Sequence, residues 1–395
     1  MTSVTNSAAP ADIRAEEYPA IGRSIYMNAA SAGPIPARAQ RAVEAFERMR
    51  IEVDRFDVER IADARRRTRA AAAALIGAEP DEIALGPNTS WGIGLAAGFV
   101  ARRDGPIEGD RVVLSRGEFP ANVYPWLALE REGITVERVP ADAWGRPRED
   151  ALLERLDADD VAAFAVSAVQ FATGHRADLG RFGRLCRERG ILFVVDAIQA
   201  AGSVPLDVRR DDIDVLACGG QKWLCSPFGT GFAYVRRELH DVLEPRSPGW
   251  QAFAPSADFE NLGDCRWDLF PDARRYDQGG TLPFQALAGF AESATMLAET
   301  GIDRIWAHIR AVQRPLLDWV RERAAVRLVS DPSDPHRSAI VAIRPPALDT
   351  AYRALRRADV ACVRREGAIR LAPHVYNTIE EMERVVQVLE EVVEP

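Results

Sequence analysis

The sequence predicts an α/β protein with a mainly parallel β-sheet sandwiched by helices in a large domain, followed by a small α+β C-terminal domain. From about residue 82 to residue 235, short runs of β-forming residues alternate with helical stretches, and runs such as Ile191–Val195 are apolar throughout. Strands that are apolar at every position are buried on both faces, which is typical of parallel sheets covered by helices. A chain of 395 residues is also long enough for two domains.

The elements of the large domain follow from local patterns. Gly133 and Gly190 each follow a predicted helix and precede a predicted strand, as expected of glycines that end helices. The predicted strands are Glu82–Leu85, Arg111–Leu114, Thr135–Val139, Val161–Val166, Ile191–Val195, Asp214–Ala217 and Gly231–Val235. The predicted helices between them are Ser90–Val100, Ala121–Arg131, Glu149–Leu156 and Leu179–Arg189.

The two ends of the chain differ from this alternating part. Residues 1–20 are predicted to be a loose arm, two helices follow at about 36–52 and 57–76, and residues 245–282 form either a functional or a poorly ordered loop. Helices return at Pro283–Thr300 and Ile302–Ala324, and the tail is predicted as strand Ala339–Ile343, helix Leu348–Arg357, strands Val360–Val363 and Ala368–Leu371, and helix Thr378–Val393. The predicted division is an N-terminal arm and helix (1–50) that pack with the small domain, a large domain (51–282) and a small domain (283–395).

Composition narrows the class of protein. Fifty Lys and Arg residues against 59 Asp and Glu residues leave a net charge of −9, which argues against nucleic acid as a partner. Five scattered cysteines without a C-x-x-C pair favour a reducing compartment. No signal peptide is recognisable, and no apolar stretch approaches the roughly 20 residues that span a bilayer. We therefore expect a cytoplasmic protein with no membrane partner.

An aspartate and a lysine follow two of the predicted strands. Asp196 comes directly after Ile191–Val195, and Lys222 follows the next predicted strand and a Gly-Gly turn. Ligands of open α/β sheets bind beyond the carboxyl ends of the strands. Lys222 is the only lysine in the chain, so every other residue in the Lys plus Arg total of 50 is arginine.

A single lysine at this place indicates chemistry that arginine cannot perform. Lysine loses its proton when desolvated and then attacks a carbonyl group, whereas arginine stays protonated. The alternative is an ordinary surface lysine, but the flanking Gly219-Gly220 and Trp223-Leu224 are not a solvated pattern. In pyridoxal phosphate enzymes a lysine forms a Schiff base with the cofactor aldehyde and an acidic residue partners the pyridine nitrogen. Asp196 and Lys222 therefore indicate that cofactor.

Around this pair, the sequence resembles the class V aminotransferase family of fold-type I pyridoxal-phosphate enzymes, which includes cysteine desulfurases, isopenicillin N epimerases, kynureninases and C–S lyases. The resemblance rests on Asp196-Ala-Ile-Gln199, Gln221-Lys222 and Gly229-Thr-Gly231, and it covers about residues 25–390. It implies the fold-type I transferase fold, pyridoxal 5′-phosphate as the cofactor, a small amino acid as substrate, and a homodimer with shared active sites.

The resemblance also implies roles for individual residues. Lys222 would hold the cofactor and then act as the base at the substrate Cα, and Asp196 would keep the ring protonated. Phe119 would stack on the ring where desulfurases have histidine, and Gln199 would bond to the phenolic oxygen. The further cofactor contacts it implies are Thr89 and Ser90 at the phosphate, Gly280 and Thr281 at the phosphate of the neighbouring subunit, and Gln170 and Gln221. On the residues alone, Thr89 and Ser90 also suit a helix N-cap, and Phe119 also suits the core.

The substrate side is predicted from both ends of the chain. Arg370 matches the family arginine that binds the substrate α-carboxylate, and a guanidinium offers a carboxylate a two-pronged contact. Asn28 and Ala29 lie in a segment that resembles the lining of the substrate cleft. The alternative for Arg370 is one more solvated arginine, although it lies inside an apolar strand.

The departures from the family pattern bear on the reaction. The desulfurase loop with a catalytic cysteine before the carboxylate-binding arginine is absent, and Cys362 is predicted to be a core thiol. The five histidines are isolated in the sequence, so no metal site is predicted. We favour transamination, with a lyase (C–S or other β-elimination) or an isopenicillin-N-epimerase-like epimerase as the alternatives. A nicotinamide-dependent dehydrogenase would need a G-x-G-x-x-G turn, which Trp91-Gly-Ile-Gly94 does not complete.

Overall fold

The computed structural model of the chain describes residues 10–52, 57–102, 107–280 and 282–393. The N-terminal part consists of α1 (Pro10–Glu17), β1 (Ile25–Tyr26), α2 (Ala37–Ile51) and α3 (Val58–Ile76). The central part contains β2 (Ile83–Gly86), α4 (Thr89–Ala101), β3 (Arg111–Ser115), α5 (Tyr124–Leu127), β4 (Thr135–Val139), α6 (Glu149–Leu156), β5 (Val161–Ser167), α7 (Leu179–Arg189), β6 (Leu192–Asp196), β7 (Val215–Gly219) and β8 (Gly231–Val235).

Strands β2 to β8 form one seven-stranded sheet in the order β2-β8-β7-β6-β5-β3-β4. Only β8 runs against its two neighbours, β2 and β7, and the other pairs are parallel. Alternate side chains enter two cores, so that Val112 and Leu114 contact one and Val113 the other. Helices α3, α6 and α7 contribute to the core with Val113, and α4 to the other. This arrangement confirms the predicted α/β fold with a mainly parallel sheet between helices.

The C-terminal part forms a second, smaller sheet. Its elements are α8 (Phe284–Thr300), α9 (Ile302–Arg321), β9 (Arg327–Leu328), β10 (Val341–Arg344), α10 (Leu348–Arg357), β11 (Val360–Ala361), β12 (Val363–Arg365), β13 (Ala368–Leu371) and α11 (Ile379–Glu390). Strands β12-β13-β10-β9 pair antiparallel in that order, and α9, α10 and α11 pack over them. Strand β11 instead pairs with β1, which joins the N-terminal segment to this part of the chain.

The predicted domain boundaries stay predictions. Helix α8 packs against α2 and α3, and its Leu287 and Phe290 belong to the same core as Val113 of the large sheet. Within the described residues, no helix combines the length and the apolar character that crossing a membrane would require.

Three local predictions were wrong. Pro10–Glu17 is helical rather than part of a loose arm (residues 1–9 lie outside the described residues), because the buried Ile13 and the ion pair between Arg14 and Glu381 anchor it. The helix predicted at 121–131 is broken into short turns around α5, since prolines at 120 and 125 cannot donate the helical hydrogen bond. The strand predicted at 360–363 is divided at Cys362, because β11 and β12 pair with different strands.

Candidate active site

The site lies where three neighbouring parallel strands end. Ser167 at the end of β5 is paired with Asp196 at the end of β6, and β7 lies on the other side of β6. Lys222 follows β7 in a turn closed by the hydrogen bond from the Cys225 amide to the Lys222 carbonyl, 3.0 Å long. Asp196 is 1% exposed and Lys222 is 9% exposed. The fold therefore brings the predicted carboxylate and amine to one buried edge of the sheet.

The Asp196 carboxylate is only half satisfied by the chain. Its Oδ1 accepts a hydrogen bond of 3.0 Å from the Ile198 amide, whereas Oδ2 is buried and has no partner in the part of the chain that the structure describes. Burial raises the pKa of Asp196 to about 7, with Glu118 adding to the shift and the Ile198 amide and Lys222 opposing it. A buried acceptor without a donor is costly. A protonated ring nitrogen of a bound cofactor would supply that donor.

Lys222 is shifted towards its reactive form. Burial lowers the pKa of Lys222 to about 8, Arg370 adds to the shift, and Asp196 opposes it. Its Nζ lies 5.2 Å from the centre of the Phe119 ring, which in turn contacts Phe171 edge to face at 5.2 Å. Phe119 is 38% exposed, so it is not a core residue, and a planar ligand can stack on it.

Arg370 is a buried cation without a carboxylate partner in the described part of the chain. It is 2% exposed, and it donates to the Phe171 carbonyl at 2.6 Å and to Ser31 Oγ at 2.8 Å. Its Nε is buried with no partner in the described ranges, and burial lowers the pKa of Arg370 to about 10. Burying an uncompensated charge is expensive, so this guanidinium suits an anionic ligand such as an α-carboxylate. It is not the solvated arginine of the alternative interpretation.

Asn28 and Ala29 lie beside Arg370. Asn28 forms a bridge with Ala372, two residues after Arg370, and the Ala29 amide donates to the Ala372 carbonyl at 3.2 Å. Asn28 Oδ1 is buried without a partner. The unsatisfied polar atoms of Asn28, Asp196 and Arg370 therefore all belong to residues predicted to bind ligands.

Two of the three predicted glutamines, Gln199 and Gln170, are held by other parts of the chain. Gln199 donates to the Ala30 carbonyl at 3.1 Å and accepts from Trp223 Nε1 at 2.8 Å, so it ties the segment with Asn28 to the residue after Lys222. Gln170 donates to the Gly117 carbonyl at 2.7 Å, and its oxygen accepts from the Ala172 and Thr173 amides and the Thr173 hydroxyl. The side-chain oxygen of Gln170 therefore already accepts hydrogen bonds from within the chain.

The predicted phosphate-binding residues lie at the start of α4. The N-cap is Asn88, whose side chain accepts from the Trp91 amide at 3.0 Å, so neither Thr89 nor Ser90 is the cap. The buried Thr89 hydroxyl accepts from the Gly219 amide at 3.0 Å, which ties the helix to the end of β7, and Ser90 is exposed. A helix N-terminus suits a phosphate, and the exposed Ser90 hydroxyl lies there. 

The remaining predicted cofactor contacts are less defined. The Gln221 side chain is half-buried, and its backbone carbonyl accepts from the Gly33 amide at 2.9 Å. Gly280 has a φ of +101° and open space around it. Thr281 lies outside the described residues. The assignment of all these residues to the cofactor stays a prediction.

Three polar residues that shape the site, Glu118, Ser31 and His374, were not among the predicted site residues. Glu118 lies just before Phe119 and is buried; its carboxylate accepts from Asn122, the Ser167 amide and the Ser167 hydroxyl, and burial raises its pKa. Ser31 contacts Arg370 as described above. Glu118 and Ser31 both belong to the motif segments in the sequence, but nothing local distinguishes them from their neighbours.

His374 also supports the site from outside it. It is completely buried, burial lowers its pKa to about 4, and its Nε2 donates to the Trp223 carbonyl at 2.7 Å. A neutral imidazole thus fixes the backbone directly after Lys222.

The interpretation of all five histidines as isolated was wrong for two of them. The rings of His175 and His336 stack with centres 4.5 Å apart, and Glu149 Oε1 lies 3.0 Å from His175 Nε2. The turn at 334–336 brings His336 there, which is a long-range contact that sequence spacing does not reveal. His336 Nδ1 already contacts the Arg176 carbonyl at 2.9 Å.

Comparisons with known proteins find relatives of the chain in sequence and in fold. The family model "Aminotransferase class-V" matches residues 25–385. The chain is 30% identical over 315 residues to the uncharacterized aminotransferase YcbU of Bacillus subtilis, covering 80% of each chain. It is 29% identical to isopenicillin N epimerase of Streptomyces clavuligerus, covering 93% of this chain and 94% of the epimerase. The apo structure of a cysteine desulfurase from Thermococcus onnurineus superposes with a TM-score of 0.84 at 22% identity, covering 100% of this chain and 99% of that one.

Proposed function

Because this chain belongs to the aminotransferase class V family and its cofactor is pyridoxal 5′-phosphate, we propose that it transfers the amino group of a small α-amino acid. One observation carries the proposal. The amine of Lys222 lies within the electrostatic reach of both Asp196 and Arg370, and each of those two side chains has a buried polar atom without a partner among the described residues. Asp196 Oδ2 suits the cofactor ring nitrogen, and Arg370 suits the substrate carboxylate.

Four side chains would bind the cofactor and the substrate. When bound, pyridoxal phosphate supplies an aldehyde that combines with amines and a ring that withdraws electrons from the substrate Cα. Lys222 would hold the aldehyde, Asp196 would keep the ring nitrogen protonated, and Phe119 would cover one face of the ring. Arg370, held by Ser31 and Phe171, would orient the α-carboxylate.

The proton chemistry favours transamination. Lys222 has a pKa of about 8, so its amine can take and return a proton near neutral pH. Phe119 replaces the histidine of desulfurases and has no exchangeable proton. A base that takes and returns the proton on one face, as proposed for Lys222, suits transamination, whereas an epimerase must also deliver a proton to the opposite face.

Two other reactions remain as alternatives, β-elimination and epimerisation. The relative named isopenicillin N epimerase aligns with nearly the whole chain, which favours the second of them. Persulfide chemistry by the desulfurase route has less support. Cys362 is 3% exposed, and burial raises its pKa to about 12, so it is a poor nucleophile.

Product analysis tests the proposal. The holoenzyme is incubated with single amino acids, with and without an α-keto acid acceptor, and is assayed for keto acid, new amino acid, ammonia, sulfide and the opposite enantiomer. Transamination predicts a new amino acid that forms only with the acceptor. Ammonia or sulfide without an acceptor would identify a lyase, and an inverted enantiomer would identify an epimerase. The Lys222→Ala protein serves as the inactive control.

We also propose that the enzyme is a homodimer with shared active sites. The resemblance assigns Gly280 and Thr281 to the partner's site, and Gly280 faces open space in the single chain. Tyr124 and Phe228, which are 68% and 76% exposed, are apolar surfaces that a partner would cover. Mixed dimers of Lys222→Ala and Thr281→Ala chains test this. One of the two sites in each mixed dimer would be intact, so activity should return on mixing; no recovery from confirmed mixed dimers would contradict shared sites.

We propose a cytoplasmic location because the cysteines form no disulfides. All five are unpaired, and four of them are buried. Cell fractionation followed by immunodetection tests this location.

A further inference from the structure

The small sheet presents arginines on the face that carries Arg370. In the β12–β13 hairpin, Val363 is paired with Arg370 and Arg365 with Ala368. Paired residues lie on the same face of an antiparallel sheet, and alternate residues of a strand share a face. Arg365 and Arg370 therefore lie on one face as diagonal neighbours, with Cα atoms about 7–8 Å apart. Arg364 lies on the opposite face.

The next two strands extend this row. Ala342 is paired with Arg370, so Arg344, two residues later on β10, lies on the same face, and Arg327 of β9 is paired with Arg344. Arg344 donates to the Gly367 carbonyl, and the Arg344 and Arg327 guanidinium groups both lie about 6 Å from the Trp144 ring.

Within the described residues, the arginines of this row have no acidic partners. No ion pair is found for Arg327, Arg344, Arg365 or Arg370 among the residues that the structure describes. By contrast, Arg364 on the opposite face pairs with Asp349. The side chain of Arg365 is exposed and makes no hydrogen bond in that same part of the chain.

Arg365 also acts on the site electrostatically. Its positive charge contributes to lowering the pKa of both Lys222 and Arg370. An accessible cation this close to the α-carboxylate position raises the local concentration of anions and favours a ligand with a second negative charge.

We propose that the substrate is an α-amino acid with an acidic side chain, such as aspartate or glutamate, and that Arg365 binds the side-chain anion while Arg370 binds the α-carboxylate. This inference rests on the proposed function, since it concerns the substrate of the same site. Arg365 is a specificity residue, and it takes no part in proton transfer at Cα.

Binding of unreactive acids gives a test that does not need turnover. Dissociation constants of glutarate and butyrate are measured by calorimetry on the holoenzyme, since neither acid has an amino group. The wild type should bind glutarate at least tenfold more tightly than butyrate, because a hydrogen bond between charged groups is worth about a factor of ten or more in the dissociation constant. Arg365→Gln should reduce this preference to about one, Arg365→Lys should restore part of it, and the matched control Arg364→Gln should leave it unchanged.

Turnover separates this inference from the proposed function. In Arg365→Gln, kcat/KM for the acidic amino acids should fall at least about tenfold relative to alanine, with no such change in Arg364→Gln. If Arg365→Gln keeps the wild-type ratio of kcat/KM for acidic amino acids to kcat/KM for alanine, the role of Arg365 is overturned and the proposed function stays intact. Dicarboxylate binding that depends on Arg365, without turnover of any amino acid, would overturn the proposed function and leave the anion site intact. Equal binding of glutarate and butyrate by the wild type would overturn the inference.

Discussion

Gly33 lies directly against the backbone of Lys222. Its amide donates to the Gln221 carbonyl at 2.9 Å, and a Cβ atom at residue 33 would lie 2.1 Å from the Lys222 carbonyl oxygen. It would also lie 2.9 Å from Cys225 Sγ. The N-terminal segment that carries Asn28 thus reaches the lysine through a contact that only glycine allows.

We expect Gly33→Ala to impair the site. Heavy atoms cannot approach to such a distance, so the turn with Lys222 must shift, and misplacement of about 1 Å costs on the order of a hundredfold in rate. Activity and cofactor content of the purified variant are the measurements. Gly22→Ala is the matched control, because nothing lies within 4 Å of a Cβ at residue 22. Normal activity in Gly33→Ala would contradict this prediction, because it would mean that the turn with Lys222 can shift without loss of function.

The lysine should react at a pH well below that of an ordinary lysine. In the apo protein, burial places the pKa of Lys222 at about 8, against the usual value of 10.5. Its modification by an amine-selective reagent should therefore rise to half its maximum near pH 8, when measured by mass spectrometry of the peptide with residue 222. Since the chain contains no second lysine, the N-terminal amine is the one other amine to separate. A midpoint above about pH 10 would contradict the burial of this amine.

Asp196→Asn should lower kcat by roughly 10²–10⁴-fold, because the amide cannot hold the ring nitrogen protonated. Asp214→Asn is the control: Asp214 is also buried on the same sheet, but it accepts from the Phe193 amide and pairs with Arg236. We expect the control to lose stability rather than activity. Similar losses of kcat in both variants would contradict the role of Asp196.

The stability of the apo protein should depend on Asp196 in a defined direction. Its pKa is raised from 3.8 to about 7, so between these values the folded state binds more protons than the unfolded state. The contribution to stability is therefore present at low pH and is lost as the pH rises through about 7. Urea unfolding of the apo protein at about pH 5 and pH 8 should show a larger loss in the wild type than in Asp196→Asn, where the buried Asp214, with a pKa raised to about 6, still contributes. The same change in both proteins would assign it to other groups.

Arg370→Lys should raise KM for an amino acid more than it lowers kcat. Lysine keeps the charge but cannot reach Ser31, Phe171 and the carboxylate with one planar group. Losing a hydrogen bond between charged groups costs about 1.5–3 kcal/mol, or roughly 10- to 150-fold in KM. Steady-state kinetics measure the change. An unchanged KM would mean that Arg370 does not bind the substrate α-carboxylate.

The fold and the cofactor were predictable from the sequence because both depend on patterns of neighbouring residues. Apolar strands alternating with helices determine the layered sheet, and the single lysine and the carboxylate after a strand indicate the cofactor, which the family match confirms. The predicted helix at 121–131 failed because prolines interrupt a pattern that otherwise suits a helix. The loop from 245 to 282 was predicted as irregular, and its described residues form short helical turns and one isolated bridge, between Phe253 and Leu269.

By itself, the sequence determined the fold class, and it predicted Lys222 as the cofactor anchor, Asp196 as its partner and Arg370 as the carboxylate-binding residue. Only the tertiary structure decided which polar atoms of these residues are left without partners, that Asn88 rather than Thr89 caps α4, and that the Gln170 oxygen is occupied within the chain. It also decided that Arg365 shares a face with Arg370, while Arg364 pairs with Asp349 on the other. The physical reason is that burial, pKa and hydrogen-bond saturation depend on neighbours that are distant along the chain, whereas residue type and periodicity are local.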